Sequence, residues 1–415
     1  MRISTSMMYD TGTQNLLQLQ TGLYRLKNQL STGRRILTPA DDPVAAAQAL
    51  VISQRQSINQ LFVDNQANAA SQLTTLEDRL SGISDLVQAV KGRAVEAGNG
   101  AYSDSDRRTI AAEIRERFDE LLGLANSSDA MGMHVFAGFR SETQPFSVSG
   151  TPGSRSISYA GDDGKRQLQV ETDRMMDVSD SGADVFMRIP QGNGTFTFTA
   201  GAGNTGTGVV GAASMITGFN GGTYQIQFEP PVAPSTTSTS YQLTVTPPGG
   251  PSVTTPAQPY VPGQDIVLGS GATQFKISIS GTPISGDTFT VSPSANQSVF
   301  KTLDDMIKVL EGNVSASPVT RAAFQNQMTT ISQNLDQALD HLLSKQTSIG
   351  ARRIELDALT SVGSDLDLQY QSDISRLQDL DYTQAISSMA NQKMVLEAAQ
   401  LSFKQVSQMS LFNYL

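Results

Sequence analysis

The chain has 415 residues, enough for roughly two to four domains at about 100–200 residues each. Its net charge of -10 and pI of about 4.8 argue against nucleic acid as the main partner. It has no cysteine and no tryptophan, so disulfides and thiolate metal sites are excluded, while the compartment stays open.

The first residues, MRISTSMMYDTGTQNLL, contain no apolar run long enough for a signal-peptide core or a span of about 20 apolar residues. Any export is therefore expected to use a route that cleaves no leader. Leu16, Leu19, Leu23, Leu26 and Leu30 alternate steps of three and four, a coiled-coil seam that predicts a helix. Gly33 interrupts it. Asp42 and Pro43 in the segment TPADDP then restart helix as cap and first helical residue. A long helix follows, with Val51, Ile58, Phe62, Ala69, Leu73, Leu76, Leu80, Ile83, Val87, Val90, Ala94 and Ala97 on one seam, and Gly98 and Gly100 end it. Ser103 to Asp106 caps a third helix carrying Ile110, Ile114, Phe118, Leu121 and Ala125.

From about residue 141 to 297 the chain is rich in Gly, Ser, Thr and Pro, and its apolar residues alternate with period two. Ile157 and Tyr159 are expected to pair with Leu168 and Val170 across the turn GDDG, Gly161 to Gly164. Further short strands are predicted at Phe196/Phe198, Tyr224/Ile226/Phe228, Tyr241/Leu243/Val245, Phe275/Ile277/Ile279 and Phe289/Val291. Such a pattern means a sandwich or barrel-like domain, as one body or two.

Helix then returns. Phe300, Leu303, Ile307 and Leu310 make a short seam that breaks between Glu311 and Pro318. Phe324, Met328, Ile331, Leu335, Ala338, Leu342, Ile349, Leu356, Leu359, Leu366 and Tyr370 hold one heptad frame, with Lys345, Arg352 and Gly363 in three of its core slots. The last stretch carries Ile386, Met389, Leu396, Ala399, Phe403 and Val406.

The expected fold class is α+β multidomain: a long antiparallel helical coiled-coil rod built from both chain ends, with an inserted all-β domain. The expected parts are 1–40 with 380–415, a terminal coiled coil; 41–140 with 298–379, a helical rod; and 141–297, a β-rich outer domain in one or two pieces. The ends are distinctive for their lack of charge. From Ile3 to Leu30 only Asp10, Arg25 and Lys27 are charged, and from Asp381 onward only Asp381, Lys393, Glu397 and Lys404. An ordinary surface helix sets one apolar stripe against a charged outer face. These helices lack that face, which points to neighbours. The expected assembly residues are Leu16, Leu19, Leu23, Leu26, Leu30, Arg34, Arg35, Ile386, Met389, Leu396, Ala399, Phe403, Val406, Leu411 and Phe412. Both ends are expected to be disordered in the free chain and to fold on assembly, since so narrow a core must offset about 1–2 kcal/mol of backbone ordering per residue.

A search for chemistry finds little. His134 and His341 lie far apart in sequence, HExxH is absent, and His341 is expected to be solvated. Asp41/Asp42 read as a helix cap, and Asp162/Asp163 as a turn lacking the further ligands calcium requires. Arg34/Arg35, Arg107/Arg108 and Arg352/Arg353 read as solvated faces, with salt bridges between subunits as the alternative. No catalytic, cofactor or metal residue is expected.

Three segments carry a family resemblance: MRISTSMMY at the start, QLSTGRRILTPADDPVAAA from Gln29 to Ala47, and MSLFNYL from Met409 to Leu415. They resemble the flagellin superfamily, and within it the hook–filament junction type. Flagellins usually have an S-G-L-R-I type segment where this chain has STGRRI, and a different ending. Met131 to Phe146, Tyr159 to Gly164 and Ser285 to Ser294 also look like the junction type. The resemblance implies a structural protein of the extracellular bacterial flagellum, secreted unfolded through type III export. The implied partners are copies of itself in a ring, the first junction protein on the hook side, flagellin, and a cytoplasmic export chaperone at the C-terminal helix. The alternatives are a flagellin-type filament subunit, and a surface adhesin or glycan-binding module acting through the β insert.

Overall fold

The computed structural model describes residues 5–230 and 239–408. Its helices there are α1 (Thr5–Thr32), α2 (Pro43–Ala97), α3 (Asp104–Ala125), α4 (Val299–Leu310), α5 (Pro318–Gln378) and α6 (Tyr382–Gln408). Every described strand lies between α3 and α4, so the order is helix, β, helix and the fold class is the α+β arrangement expected. The chain divides into two compact units, one of residues up to 66 and from 357 on, the other of residues 67–356.

Local chemistry sets the helix starts. Asp42 Oδ1 accepts the Ala45 amide at 3.0 Å, with Pro43 at the first helical position of α2. Ser103 and Asp106 form a reciprocal capping box at α3. Ser298 Oγ accepts the Lys301 amide at the head of α4.

In the 67–356 unit, α2 buries Ala69, Leu73, Leu76, Leu80, Ile83, Val87 and Val90 completely. Ile114, Phe118 and Leu121 of α3 and Phe324, Met328, Ile331 and Leu335 of α5 are buried in the same unit. Lys91 pairs with Asp336 at 2.5 Å and Arg353 with Glu77, so α2 and α5 run antiparallel. Arg107 is only 3% exposed and lies 4.8 Å from the Phe324 ring centre. The solvated reading of Arg107 is therefore wrong: it closes the end of the bundle.

Five fully buried phenylalanines join the bundle to the insert. Phe300 of α4 lies 5.9 Å from Phe118 of α3, 5.2 Å from Phe146 and 5.6 Å from Phe186, and Phe136 lies 5.1 Å from Phe186. The guanidinium of Arg155 caps Phe118 at 4.1 Å. Asp304 of α4, fully buried, accepts the Gly153 and Arg155 amides and fixes that loop to the helix.

The insert opens with β1 (Phe146–Ser149), β2 (Ser156–Tyr159), β3 (Gln167–Glu171) and β4 (Arg174–Asp177). β1 pairs with β2 and β3 with β4. The hairpin expected across GDDG is thus corrected: Ile157 faces Val148 and Leu168 faces Met176. Asp162 instead turns back, accepting the Phe139 and Gly164 amides, while Asp163 pairs with Arg188 at 2.6 Å. Gly138 sits opposite at φ +70, where a Cβ would lie 2.5 Å from the Asp162 carbonyl oxygen.

The larger part follows: β5 (Ile189–Pro190), β6 (Phe196–Ala200), β7 (Val209–Met215), β8 (Thr223–Glu229), β9 (Ser240–Thr246), β10 (Val253–Thr254), β11 (Gln258–Pro259), β12 (Asp265–Leu268), β13 (Phe275–Ser280), β14 (Thr288–Pro293) and β15 (Asn296–Gln297). One sheet has the order β10-β9-β8-β14-β6 with β11 beside β9, and a second has β12-β13-β7. Their apolar faces share one core containing Phe196, Tyr224, Ile226, Phe228, Phe275, Ile277 and Phe289.

Side chains of α5 hold the insert. Asn326 Oδ1 accepts the Val210 amide at 2.7 Å and its Nδ2 donates to the Gly208 carbonyl at 3.0 Å. Asn334 accepts the Gly192 amide at 2.9 Å. Lys345 pairs with Asp184, and Arg352 lies 3.4 Å from Asp180, which also lies 3.2 Å from Lys165. The two cations in heptad slots of α5 therefore mark where insert replaces helix as the neighbour. His341 Nε2 is 2.7 Å from the Asp184 carbonyl and half-buried, which corrects its solvated reading.

In the other unit α1 pairs with α6, and the first part of α2 with the last part of α5. Here α2 turns Ala45, Ala49, Ile52, Gln56, Asn59, Val63 and Gln66 inward. Val51 and Ile58, expected in the seam, are 50% and 45% exposed. The reason is close approach. A Cβ on Gly363 would lie 2.8 Å from Val63 Cγ2, so glycine lets the two backbones approach there, and beside Ile52 and Val63 the facing slots of α2 hold alanine or amide side chains.

The aromatic junction gives a direct prediction. Phe300→Ala should lower stability by about 3–5 kcal/mol, read as a drop in the urea midpoint of the 67–356 unit.

Candidate assembly surface

The seam of α1 interdigitates with α6 by size. A Cβ on Gly12 would lie 2.7 Å from the Phe403 ring, one on Gly22 2.9 Å from the Gln392 amide, and one on Gly33 2.9 Å from the Tyr382 hydroxyl. Gly12 and Gly22 of α1, and Gly33 just beyond its end, thus each accept a large side chain of α6, and the order of the three contacts makes the pair antiparallel. Tyr9 meets Phe403 edge to face at 5.8 Å and donates its hydroxyl to the Ser407 carbonyl at 3.0 Å.

Leu16, Leu19, Leu23, Leu26 and Leu30 all face this seam, yet all stay half-buried. On α6, Leu396 is 9% exposed, Met389, Ala399 and Phe403 are half-buried, and Ile386 and Val406 lie on the flank at 54% and 47% exposure. Leu411 and Phe412 lie outside the described residues. The outward faces carry Leu17, Tyr24, Met394 and Leu401, each more than 60% exposed. A groove of about 830 Å³ opens between Met7, Met8 and Leu16 of α1 and Ala399, Phe403 and Val406 of α6.

Arg34 and Arg35 sit where both chain crossings break at one level. The α1–α2 connection and the α5–α6 connection lie side by side through a bridge between Arg34 and Asp379. The Arg35 amide donates to the Gln378 carbonyl at 2.7 Å and the Leu380 amide to the Gly33 carbonyl at 2.9 Å. The Arg35 guanidinium reaches the Leu377 carbonyl at 2.8 Å and Asp42 at 3.2 Å. Gln29, 8% exposed, donates to the Arg35 carbonyl, and Gly33 holds φ +69 beneath Tyr382. Arg35 is thus committed within the chain. Gln29, Tyr382, Gly12 and Gly22 were missed because apolar counting ignores them, and Gly33 was read only as a break; glycines ten and eleven residues apart were the available signal.

Asp41 is held below the usual carboxylate range, chiefly by the Thr38 and Leu37 amides it accepts at 2.9 Å and further by Arg25 at 2.8 Å. Asp42 is also lowered, chiefly by the Ala45 amide and then by Arg35. Among the described residues no group of three or more His, Cys, Asp or Glu side chains is arranged to hold a metal, and no helix is long and apolar enough to cross a membrane.

Residues 3–141 match the family described as the bacterial flagellin N-terminal helical region. The chain is 26% identical to flagellar hook-associated protein 3 of Salmonella typhimurium, over 99% of both chains. A crystal structure of flagellar hook-associated protein-3 from Legionella pneumophila is similar at TM-score 0.70 and 32% identity, covering 79% of this chain and 98% of that one. The phase 1 flagellin of Salmonella naestved is 31% identical over 32% of this chain and 27% of that one.

The joint should be acid-sensitive in a defined direction. Folded carboxylates with depressed pKa values add stability above the unfolded value of about 3.9, and that contribution fades as pH falls through the lower folded values. The protection factors of the Leu37, Thr38 and Ala45 amides, with the intrinsic pH dependence of exchange divided out, should therefore hold down to about pH 4 and fall below it. With Asp41→Asn and Asp42→Asn together, that protection should be low already at neutral pH.

Proposed function

We propose, from the premise that the chain belongs to the flagellin superfamily and is of the hook-associated protein 3 type, that it is the structural subunit joining the flagellar hook to the filament. Copies form a ring between a first junction protein on the hook side and flagellin on the other. The subunit is secreted through the flagellar export route to the extracellular flagellum, with a chaperone holding the C-terminal helix beforehand.

The observation that carries this reading is the uncharged, apolar outer face of the paired terminal helices. Leu17 and Leu401 are 61% and 69% exposed, on helices with almost no charge to solvate them. Burying such side chains against a copy contributes about 1.5–3 kcal/mol each. The neutral Gln, Asn, Ser and Thr beside them supply hydrogen bonds between copies. The leucines from Leu16 to Leu30, with Arg34, Met389, Leu396, Ala399 and Phe403, form the inner scaffold of that surface. Ile386 and Val406 lie on its edge. The helix breaks at 33–42 and 379–381 divide this terminal part from the rest of the chain. A filament-forming flagellin is favoured less, because the match to flagellin covers 32% of the chain, where that to hook-associated protein 3 covers 99%.

Deleting the gene should leave bare hooks and shed flagellin into the medium, seen by electron microscopy and by assay of the culture fluid. Attached, normal filaments would sink the proposal. Supplied to the deletion strain, Leu401→Glu should be secreted as the wild type is but should not restore attached filaments, with circular dichroism of the purified variant unchanged.

A further inference from the structure

The inner slots of α2 differ in kind between its two parts. In the 67–356 unit Leu73, Leu76, Leu80 and Ile83 are fully buried and apolar. In the other unit the equivalent slots include Gln56, Asn59 and Gln66, the last 4% exposed. The slots also change phase. They step by three twice in succession, Val63 to Gln66 to Ala69, where an unbroken heptad alternates three and four. On α5 the frame runs unbroken through Leu356, Gly363 and Tyr370.

The polar slots are engaged one by one. Asn59 Nδ2 donates to the carbonyl of Gly363 at 2.7 Å, and Gln56 Nε2 to Asp367 Oδ1 at 2.9 Å. The first bond needs glycine, since a Cβ on Gly363 would meet Val63. A slip by one heptad would put Asn59 opposite a different residue and leave its amide without that carbonyl. Asn59 and Gln56 are half-buried, and amides at coiled-coil core slots fix register at a cost in stability.

We propose that the polar slots of α2 lock the register of its pairing with α5 in this unit, and make that pairing open by itself before the rest of the chain unfolds. Its use rests on the assembly role above: a segment that opens alone can exchange an intrachain contact for contact with a copy. The opening itself does not depend on that role, so the two fail separately.

Hydrogen exchange on the full chain in low urea tests it. Amides from 47 to 63 should exchange together, about a hundredfold faster than those from 73 to 90. Equal protection of the two segments would overturn the proposal. Asn59→Leu should slow exchange of 47–63 about tenfold while leaving 73–90 unchanged. Spin labels at Gln60 and Ser361 should then report a broader distance distribution than in the wild type. An unchanged distribution would remove the register lock, and faster exchange of 47–63 would remove the destabilising role. Gln56→Leu repeats the test at an independent slot.

Discussion

Antiparallel pairing of helices from the two halves of the chain, α1 with α6 and α2 with α5, is the constraint that organises both units. Tyr9 bonds to Ser407 across 398 residues of sequence. Closing so long a loop costs entropy that grows only slowly with length, and the cost falls when the intervening chain is already compact. The insert supplies that compactness. Its two sheets share a core, and its first strands are fastened to α3 and α4 through Phe118, Phe146, Phe186 and Phe300. The ends of the insert are thereby held where the helices that leave and enter it already pack.

Polar residues in helical seams turn out to identify neighbours. Lys345 and Arg352 occupy heptad slots of α5 because Asp184 and Asp180 of the insert face them. Asn326 and Asn334 sit on the same helix and satisfy backbone groups at Gly192, Gly208 and Val210 that would otherwise be buried without partners. Asn59 and Gln56 do the equivalent between helices. A single helix thus presents apolar slots to other helices and polar slots to loops and strand ends.

That pattern explains which parts were legible in the sequence. Leu16 to Leu30 and Ala69 to Ala97 were readable because large apolar residues at three–four spacing fill a core of ordinary width. Val51 and Ile58 misled for the opposite reason. Where Gly363 lets two backbones approach, the inward slots beside Ile52 and Val63 are alanine and amide, and Val51 and Ile58 face out. The short strands were visible from alternation, but their partners were not. Asp162 accepts two backbone amides across a tight bend, and that local bonding competes successfully with the hairpin GDDG suggests. Arg107 looked like half of a solvated pair, and only the fold reveals Phe324 beneath it. For the assembly surface, the missing charge was legible; the size-matched glycines of α1 were not.

The double crossing at Gly33 and Asp379 also has a mechanical side. The bonds from Arg35 to Gln378 and from Leu380 to Gly33 run between two strands that pass in opposite directions. Such bonds lie across the strands, not along them. Tension applied through α1 and α6 together runs along both covalent backbones in the same direction and leaves these bonds unloaded; what they resist is bending one connection away from the other, with Arg35 adding its bonds to Leu377 and Asp42. The two connections are thereby held to bend together and not one at a time.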